Sequence, residues 1–442
     1  MDIWIKAAQF ILSLSLLVIL HEFGHFIPAK LFKTRVEKFY LFFNPWFSLF
    51  KKKVGDTEWG IGWLPLGGFV KISGMVDESM DKDQLAQPAQ PWEFRSKPAW
   101  QRLIIMLGGV FVNVVVGFVI YICVVFYFGV ERLEPSTLKQ GVAIHSYVEK
   151  YGLKSGDYIL AVDGKPTKNV LEVTNQVMFR GARDIQVKHV DGKISTIHLP
   201  ENIGNELFEN SAFPLISLRS SSTTVDSIVP KSNAQKAKLQ KGDKFLEING
   251  NSIAYFDELQ KQLYLNKTKT TNAKIVRGKD TIDVKIKVTK EGTLGFITSQ
   301  NFIDFKSMKQ YKPGLVESAS LGIDLAVNTL GDYVGQFKYM FTKKGASSLG
   351  GFATMGNMFP STWDWEIFWM RTAWISLALA IMNLLPIPAL DGGHVVFLLY
   401  EMITGKEAPQ KVLEIAQYVG IVLLLSLMLY ANGNDVYRIF FK

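Results

Sequence analysis

Four runs of apolar side chains constrain this chain more than any other feature, because each is close to the ~20 residues a helix needs to cross a bilayer's hydrocarbon. They extend from Ile5 to Ile27, Leu103 to Phe128, Phe368 to Leu390 and Val412 to Tyr430. In hydrocarbon every backbone N–H and C=O needs a partner within the segment, so each run is expected to be helical. Between them the chain is polar. Overall 48% of residues are hydrophobic and 20% charged, which fits spans joined to water-soluble modules better than a pure transporter. The first run makes a poor signal peptide: its early cation is Lys6 alone, and no small-residue cleavage site follows.

The formal charge of +9 is explained by where the cations sit. Twelve Lys and Arg lie between Pro28 and Arg102, whereas only Lys6 precedes the first span. The positive-inside rule then makes that loop cytoplasmic, with both termini and the segment from about Gly129 to Asp364 on the opposite side. No basic-aromatic motif points to nucleic acid, so no nucleic-acid partner is expected. Cys123 is the only cysteine, which excludes an intramolecular disulfide. No glycine-rich nucleotide loop occurs.

The first run contains His21-Glu22-Phe23-Gly24-His25. Residues four apart share a helix face, so both imidazoles can reach one metal ion, and Glu22 can take a proton from a water beside it. Three ionisable side chains in a lipid-spanning helix cost several kcal/mol unless they bind something. Zinc is the expected cofactor, with one catalytic ion. Two histidines leave a catalytic site one ligand short. The candidate for the third is Asp391, in Asn383-Leu-Leu-Pro386-Ile-Pro388-Ala-Leu-Asp391-Gly392-Gly393, where prolines should break the third span. The competing reading is that Asp391 caps the helix after it.

The polar segment after the second span repeats itself. Leu153-Lys-Ser-Gly156-Asp157 through Asp163-Gly164 returns 86 residues later as Leu239-Gln-Lys-Gly242-Asp243 through Asn249-Gly250. Asp163-Gly164 and Asn249-Gly250 should turn tight hairpins between strands. The spacing resembles bacterial-type PDZ domains, whose peptide-binding strand comes last. Thr293 to Ile297 fits that strand in the second copy, and the first shows no equally clear counterpart.

Together, His21-Glu22-x-Gly24-His25-Phe26-x-x-Ala29-Lys30 and Asn383-x-x-Pro386-x-Pro388-x-Leu390-Asp391-Gly392 resemble the site-2 protease family of intramembrane zinc metalloproteases. Motif order and paired modules resemble its RseP-type branch in Gram-negative inner membranes. The resemblance implies a polytopic α-helical membrane protein with four transmembrane helices, a cytoplasmic membrane-associated β-hairpin region and two inserted PDZ domains (α+β). In outline, 1–33 holds the first span, 34–102 the hairpin loop, 103–128 the second span, 129–221 and 222–305 the modules, and 306–365 amphipathic connecting helices. The third span follows at 366–391, a cytoplasmic loop at 392–411, the fourth span at 412–431 and a tail at 432–442.

By the same resemblance Glu22 is the catalytic base and His21, His25 and Asp391 hold the metal. Asn383, Phe69, Val70, Lys71, Pro386 and Pro388 meet substrate. Gly67 to Met75 is similar to a membrane-dipping hairpin whose edge draws substrate into extended form. Implied substrates are single-span membrane proteins already trimmed outside the membrane, an anti-sigma factor and signal-peptide remnants among them, with peptide ligands for the PDZ domains. The HExxH and Leu-Asp-Gly motifs would lie toward the cytoplasm, and the PDZ domains and both termini in the periplasm. Two segments depart from the family's pattern: Val110 in Gly108-Gly109-Val110-Phe-Val-Asn113, and Phe352 after Gly350-Gly351, each stand where a proline is usual. A membrane scaffold without catalysis is the rival reading, opposed by the intact set of reactive residues. A metal transporter would need ionisable side chains along several spans, and the second has none.

Overall fold

The computed structural model of the protein describes residues 2–75, 87–298 and 309–441. They form two compact units: Met1–Gly129 with Lys312–Tyr333 and Met340–Lys442, and Val130–Tyr311 with Val334–Tyr339. The expected boundary at 305/306 lies outside the described residues.

In the first unit α1 (Asp2–Leu31) and α2 (Ala99–Phe128) are long apolar helices. Between them β1 (Val36–Val54) and β2 (Thr57–Ile72) fold into one antiparallel sheet with two pairings. Leu41 faces Gly68 on one side and Ile61 on the other, and Phe50 also faces Ile61. The strand order is therefore 48–54, 57–62, 38–41, 68–72, which leaves 68–72 at an edge among the described residues. The sheet is larger than the sequence suggested. Its tip carries exposed Trp46, Phe47, Leu49 and Phe50, an apolar patch of the kind that meets lipid or protein.

Further helices are α3 (Leu315–Met340), whose residues 334–339 count with the second unit, and, in this unit, α4 (Lys343–Ser348), α5 (Phe352–Gly356), α6 (Trp365–Leu384), α7 (Asp391–Thr404) and α8 (Gln410–Phe441). Among the described residues four helices (α1, α2, α6 and α8) are long and apolar enough to cross a membrane. Three boundaries differ from expectation. The third span stops at Leu384, because Pro386 and Pro388 cannot continue it. Residues 392–404, expected as loop, are helical, and so are 432–441, expected as tail. At the unusual Val110, α2 runs on without a break, and Val110 is buried on its inner face.

Glycine lets α1 and α2 touch. A Cβ on Gly24 would strike the backbone of Gly108 and Gly109, and one on Gly108 would strike the Gly24 carbonyl. Small residues at a crossing let membrane helices approach this closely. Helix α6 joins through buried hydroxyls: Thr372 Oγ1 donates to Ser13 Oγ (2.9 Å) and Ser376 Oγ to the Asn113 carbonyl (2.7 Å). At one end an ion pair of buried Arg102 with half-buried Glu401 ties α2 to α7. Removing one partner would leave the other charge partly desolvated and unpaired, so the pair helps to hold α7 in place.

The second unit repeats one topology. Strand β3 (Val130–Arg132) opens the unit, and β4 (Val142–Ile144), β5 (Tyr158–Val162), β6 (Lys165–Pro166), β7 (Asp184–Lys188), β8 (Ile194–His198) and β9 (Ile216–Leu218) make the first module. Strands β10 (Val225–Ile228), β11 (Lys244–Ile248), β12 (Asn251–Ser252), β13 (Thr270–Arg277), β14 (Asp280–Lys287) and β15 (Phe296–Thr298) make the second. Sheet orders β6-β5-β7-β8 and β12-β11-β13-β14 correspond, as do the pairs β4-β9 and β10-β15. The sequence showed no last strand for the first module; β9 is that strand. Asp163-Gly164 and Asn249-Gly250 all have positive φ, between 46° and 80°, as tight hairpins require.

Asp157 and Asp243 are the buried acids of the repeat, and each accepts a turn N–H. Asp243 is met by Arg277 at 2.7–2.8 Å. Asp157 is met by His189 at 2.9 Å, and His189 in turn contacts Ser195 at 2.7 Å. This resembles a serine–histidine–aspartate relay. However, Tyr158 pairs with Lys188 and Lys244 with Val276, so His189 and Arg277 occupy equivalent places. Both satisfy a buried carboxylate, a structural task.

Candidate metal centre and cleft

Helix periodicity places His21 and His25 on one face of α1, and the break after α6 delivers Asp391 to them. Leu385 to Leu390 doubles back tightly. Cβ atoms on Gly392 and Gly393 would strike the backbone of Leu384, Leu385, Ile387 and Pro388. Ala389 takes φ 76°, a left-handed conformation costing a non-glycine residue about 1–3 kcal/mol. Asp391 is then the first residue of α7, one place past its N-cap Leu390.

His21 Nε2 lies 3.2 Å from His25 Nε2, and each of these nitrogens lies 3.4 Å from Asp391 Oδ2. Ligands about 2.0–2.1 Å from a tetrahedral zinc stand about 3.3 Å from one another. The three donors thus outline one face of such a site. Asp391 Oδ2 is buried without a hydrogen-bond partner, as an oxygen reserved for a cation would be. The donor set is two imidazoles and a carboxylate, which suits zinc. His25 Nδ1 sits 2.8 Å from the Ile105 carbonyl, which must accept its proton and so leaves Nε2 bare.

Glu22 is buried, and its Cγ lies beside Gly68 of the edge strand. Asn383 Nδ2 stands 3.3 Å from His21 Nε2. A cavity of about 660 Å³ joins these groups to Phe69, Val70 and Lys71. The structure brings His21, Glu22, His25, Asp391, Asn383 and those three strand residues to one cleft. It does not bring Pro386 or Pro388 to the cavity lining; they shape the turn, with the Pro388 carbonyl against Gly420 of α8. The sequence did not single out Gly109, Ile105, His394 or Gln417, and it noted Asn113 only as part of an atypical segment. Gln417 and Asn113 are buried polar residues lining the cleft. A lone amide within an apolar run was the available signal for each.

Residues 9–427 match peptidase family M50. A regulator of sigma E protease from Haemophilus influenzae is 26% identical, with 98% of each chain covered. Protease RseP from Yersinia pestis is 26% identical over 99% of this chain and 100% of that one. A Campylobacter jejuni protein, provisionally named a zinc metalloprotease, is 28% identical over 97% of this chain and 92% of its own.

Proposed function

The chain belongs to peptidase family M50, a zinc metallopeptidase of the site-2 protease type, and from that premise we propose that it cuts single-span membrane proteins within the bilayer. The observation that carries the reading is the meeting of His21 and His25 of α1 with Asp391, just past the end of α6, at 3.2–3.4 Å, across a cleft from residues 68–72 of the sheet.

His21, His25 and Asp391 hold the zinc. Bound there, zinc supplies Lewis acidity to the attacking water and the scissile carbonyl. Glu22 accepts the proton of that water and returns it to the leaving amine. The Asn383 amide donates to the oxyanion that develops on the carbonyl. A peptide bond inside a helix is hydrogen-bonded and shielded, so substrate must first be extended. Residues 68–72, an edge of the sheet among the described residues, offer the place for this, with Phe69, Val70 and Lys71 along the strand that substrate would join. Lys71 lies 3.5 Å from Glu37, which steadies that edge.

The relatives' names suggest an anti-sigma factor as one substrate, and signal-peptide remnants share the required single apolar span. The two repeated modules are read as PDZ domains on the outer face of an inner membrane, binding peptides and excluding bulky ectodomains. The sheet and the catalytic cleft then lie toward the cytoplasm, as the twelve cations of residues 28–102 favour.

The test is to incubate purified protein with a reporter holding one apolar span between short tails. The reading expects two fragments whose new ends fall within the span by mass spectrometry. Cuts confined to the tails would refute it.

A further inference from the structure

We propose that Asn113 is a positioning residue for the metal: its side-chain amide oxygen accepts the Nδ1 proton of His21 and so turns that ring's Nε2 toward the ligand cluster. This rests on the metal-site reading above and adds to it the residue that holds one ligand in its working tautomer.

A neutral imidazole carries one N–H. If Nε2 of His21 faces the metal it must be bare, so the proton sits on Nδ1 and needs an acceptor. Nδ1 lies 3.1 Å from the Asn113 side-chain nitrogen. Two N–H groups cannot bond each other. The oxygen of the same amide is buried and has no partner at all. Amide oxygen and nitrogen have nearly the same shape, and their assignment follows from the hydrogen bonds available. Turning the amide over places its oxygen on the Nδ1 proton and gives the orphaned oxygen its bond. Asn113 is fully buried, where two donors facing each other would each lose a hydrogen bond at about 1–3 kcal/mol, so with Nε2 turned to the metal the orientation that sets the oxygen on Nδ1 prevails.

The surroundings are built for this contact. Ile105, Gly109 and Asn113 follow one another at intervals of four, so they form a stripe along one face of α2. The Ile105 carbonyl takes the Nδ1 proton of His25. Gly109 leaves room for both rings, since a Cβ there would strike His21 and His25. Asn113 completes the stripe at His21. Its carbonyl is pinned by Ser376 of α6 at 2.7 Å, which fixes where the amide stands. The two ligand histidines are thus held differently: His25 by the Ile105 carbonyl, and His21 by the Gly109 backbone together with a replaceable side chain, Asn113.

The experiment uses full-length protein in detergent and measures zinc affinity by competition with a chromophoric chelator for wild type, Asn113→Leu, Asn113→Asp and His21→Ala. Asn113→Leu keeps the number of side-chain heavy atoms and the branching but removes the acceptor, and is expected to weaken zinc binding about 10–100-fold. Asn113→Asp keeps an acceptor and is expected to bind at least nearly as tightly as wild type. With cobalt in place of zinc, the Leu variant should show an altered visible spectrum and the Asp variant a near-native one. Native helical content with wild-type zinc affinity in Asn113→Leu would overturn the proposal. Equal weakening by Leu and Asp would also overturn it, because packing and not an acceptor would then matter. His21→Ala separates the two readings: undiminished zinc affinity in that variant refutes the metal site itself, whatever Asn113 does.

Discussion

Replacing Gly109 by Ala adds one methyl group at the point where α2 meets both ligand imidazoles. A Cβ there would sit 2.8 Å from His21 Nδ1, and nearer still to His25 Nε2 and His21 Cε1. Carbon and nitrogen rest about 3.5 Å apart or more, so the rings must retreat by roughly 0.7 Å or more. Metal–ligand distances tolerate only about 0.2 Å. A misplacement of ~1 Å at reacting groups costs about 100-fold in rate, or about 2.7 kcal/mol. The helix itself favours Ala over Gly by about 1 kcal/mol, so folding should not suffer. Gly109→Ala protein should therefore purify with native helical content, hold less zinc at a buffered free-zinc level, and cleave a single-span reporter about 100-fold more slowly. Full zinc content and wild-type cleavage in a folded variant would refute the close seat of the two rings on α2.

Asp391→Ala should lower zinc content together with activity, because its Oδ2 is the third donor; metal analysis showing full occupancy would remove it from the ligand set. Arg277→Met should destabilise the second module by about 1–3 kcal/mol at neutral pH, since it strands a buried carboxylate. Burial works to raise the Asp243 carboxyl, but hydrogen bonds from Arg277 and the Gln240 N–H, with the guanidinium charge, hold it below the usual carboxylate range. A lowered folded-state value gives stability that is present above about pH 4 and lost as pH falls through that folded value. The variant and wild type should therefore converge in acid, and an equal difference at pH 7 and pH 3, read by limited proteolysis, would contradict this. Deleting residues 130–305 should let a substrate with an untrimmed outer domain be cut; if it stays intact while a trimmed one is cleaved, the size-filter role fails.

The parts legible in the sequence were those set by short-range geometry. An interval of four on a helix sufficed to pair His21 with His25, and Asp-Gly and Asn-Gly sufficed to mark both hairpins. The break at Pro386 and Pro388 announced a functional turn, but not the left-handed Ala389 that aims Asp391. Other features depended on packing. The sheet before Gly67 was hidden because Phe39 to Phe50 is nearly all apolar on both faces, which erases the alternation of a strand. Helix α7 begins Asp-Gly-Gly and so read as loop, although Arg102 and the α2 surface hold it helical. Strand β9 has only three residues and no turn glycine to announce it. Asn113 lay in plain view, but only the fold shows which imidazole it touches.

The central claim is that Glu22 and a metal between His21, His25 and Asp391 perform hydrolysis within an apolar span. The most direct measurement compares cleavage of a tagged single-span substrate by wild type, by wild type with a zinc chelator and by Glu22→Gln, all purified in detergent. Cleavage by wild type alone, restored after chelation by added zinc but not restored in Glu22→Gln, is the expected result. Cleavage that persists in Glu22→Gln at the wild-type rate, or that survives complete removal of zinc, would contradict it.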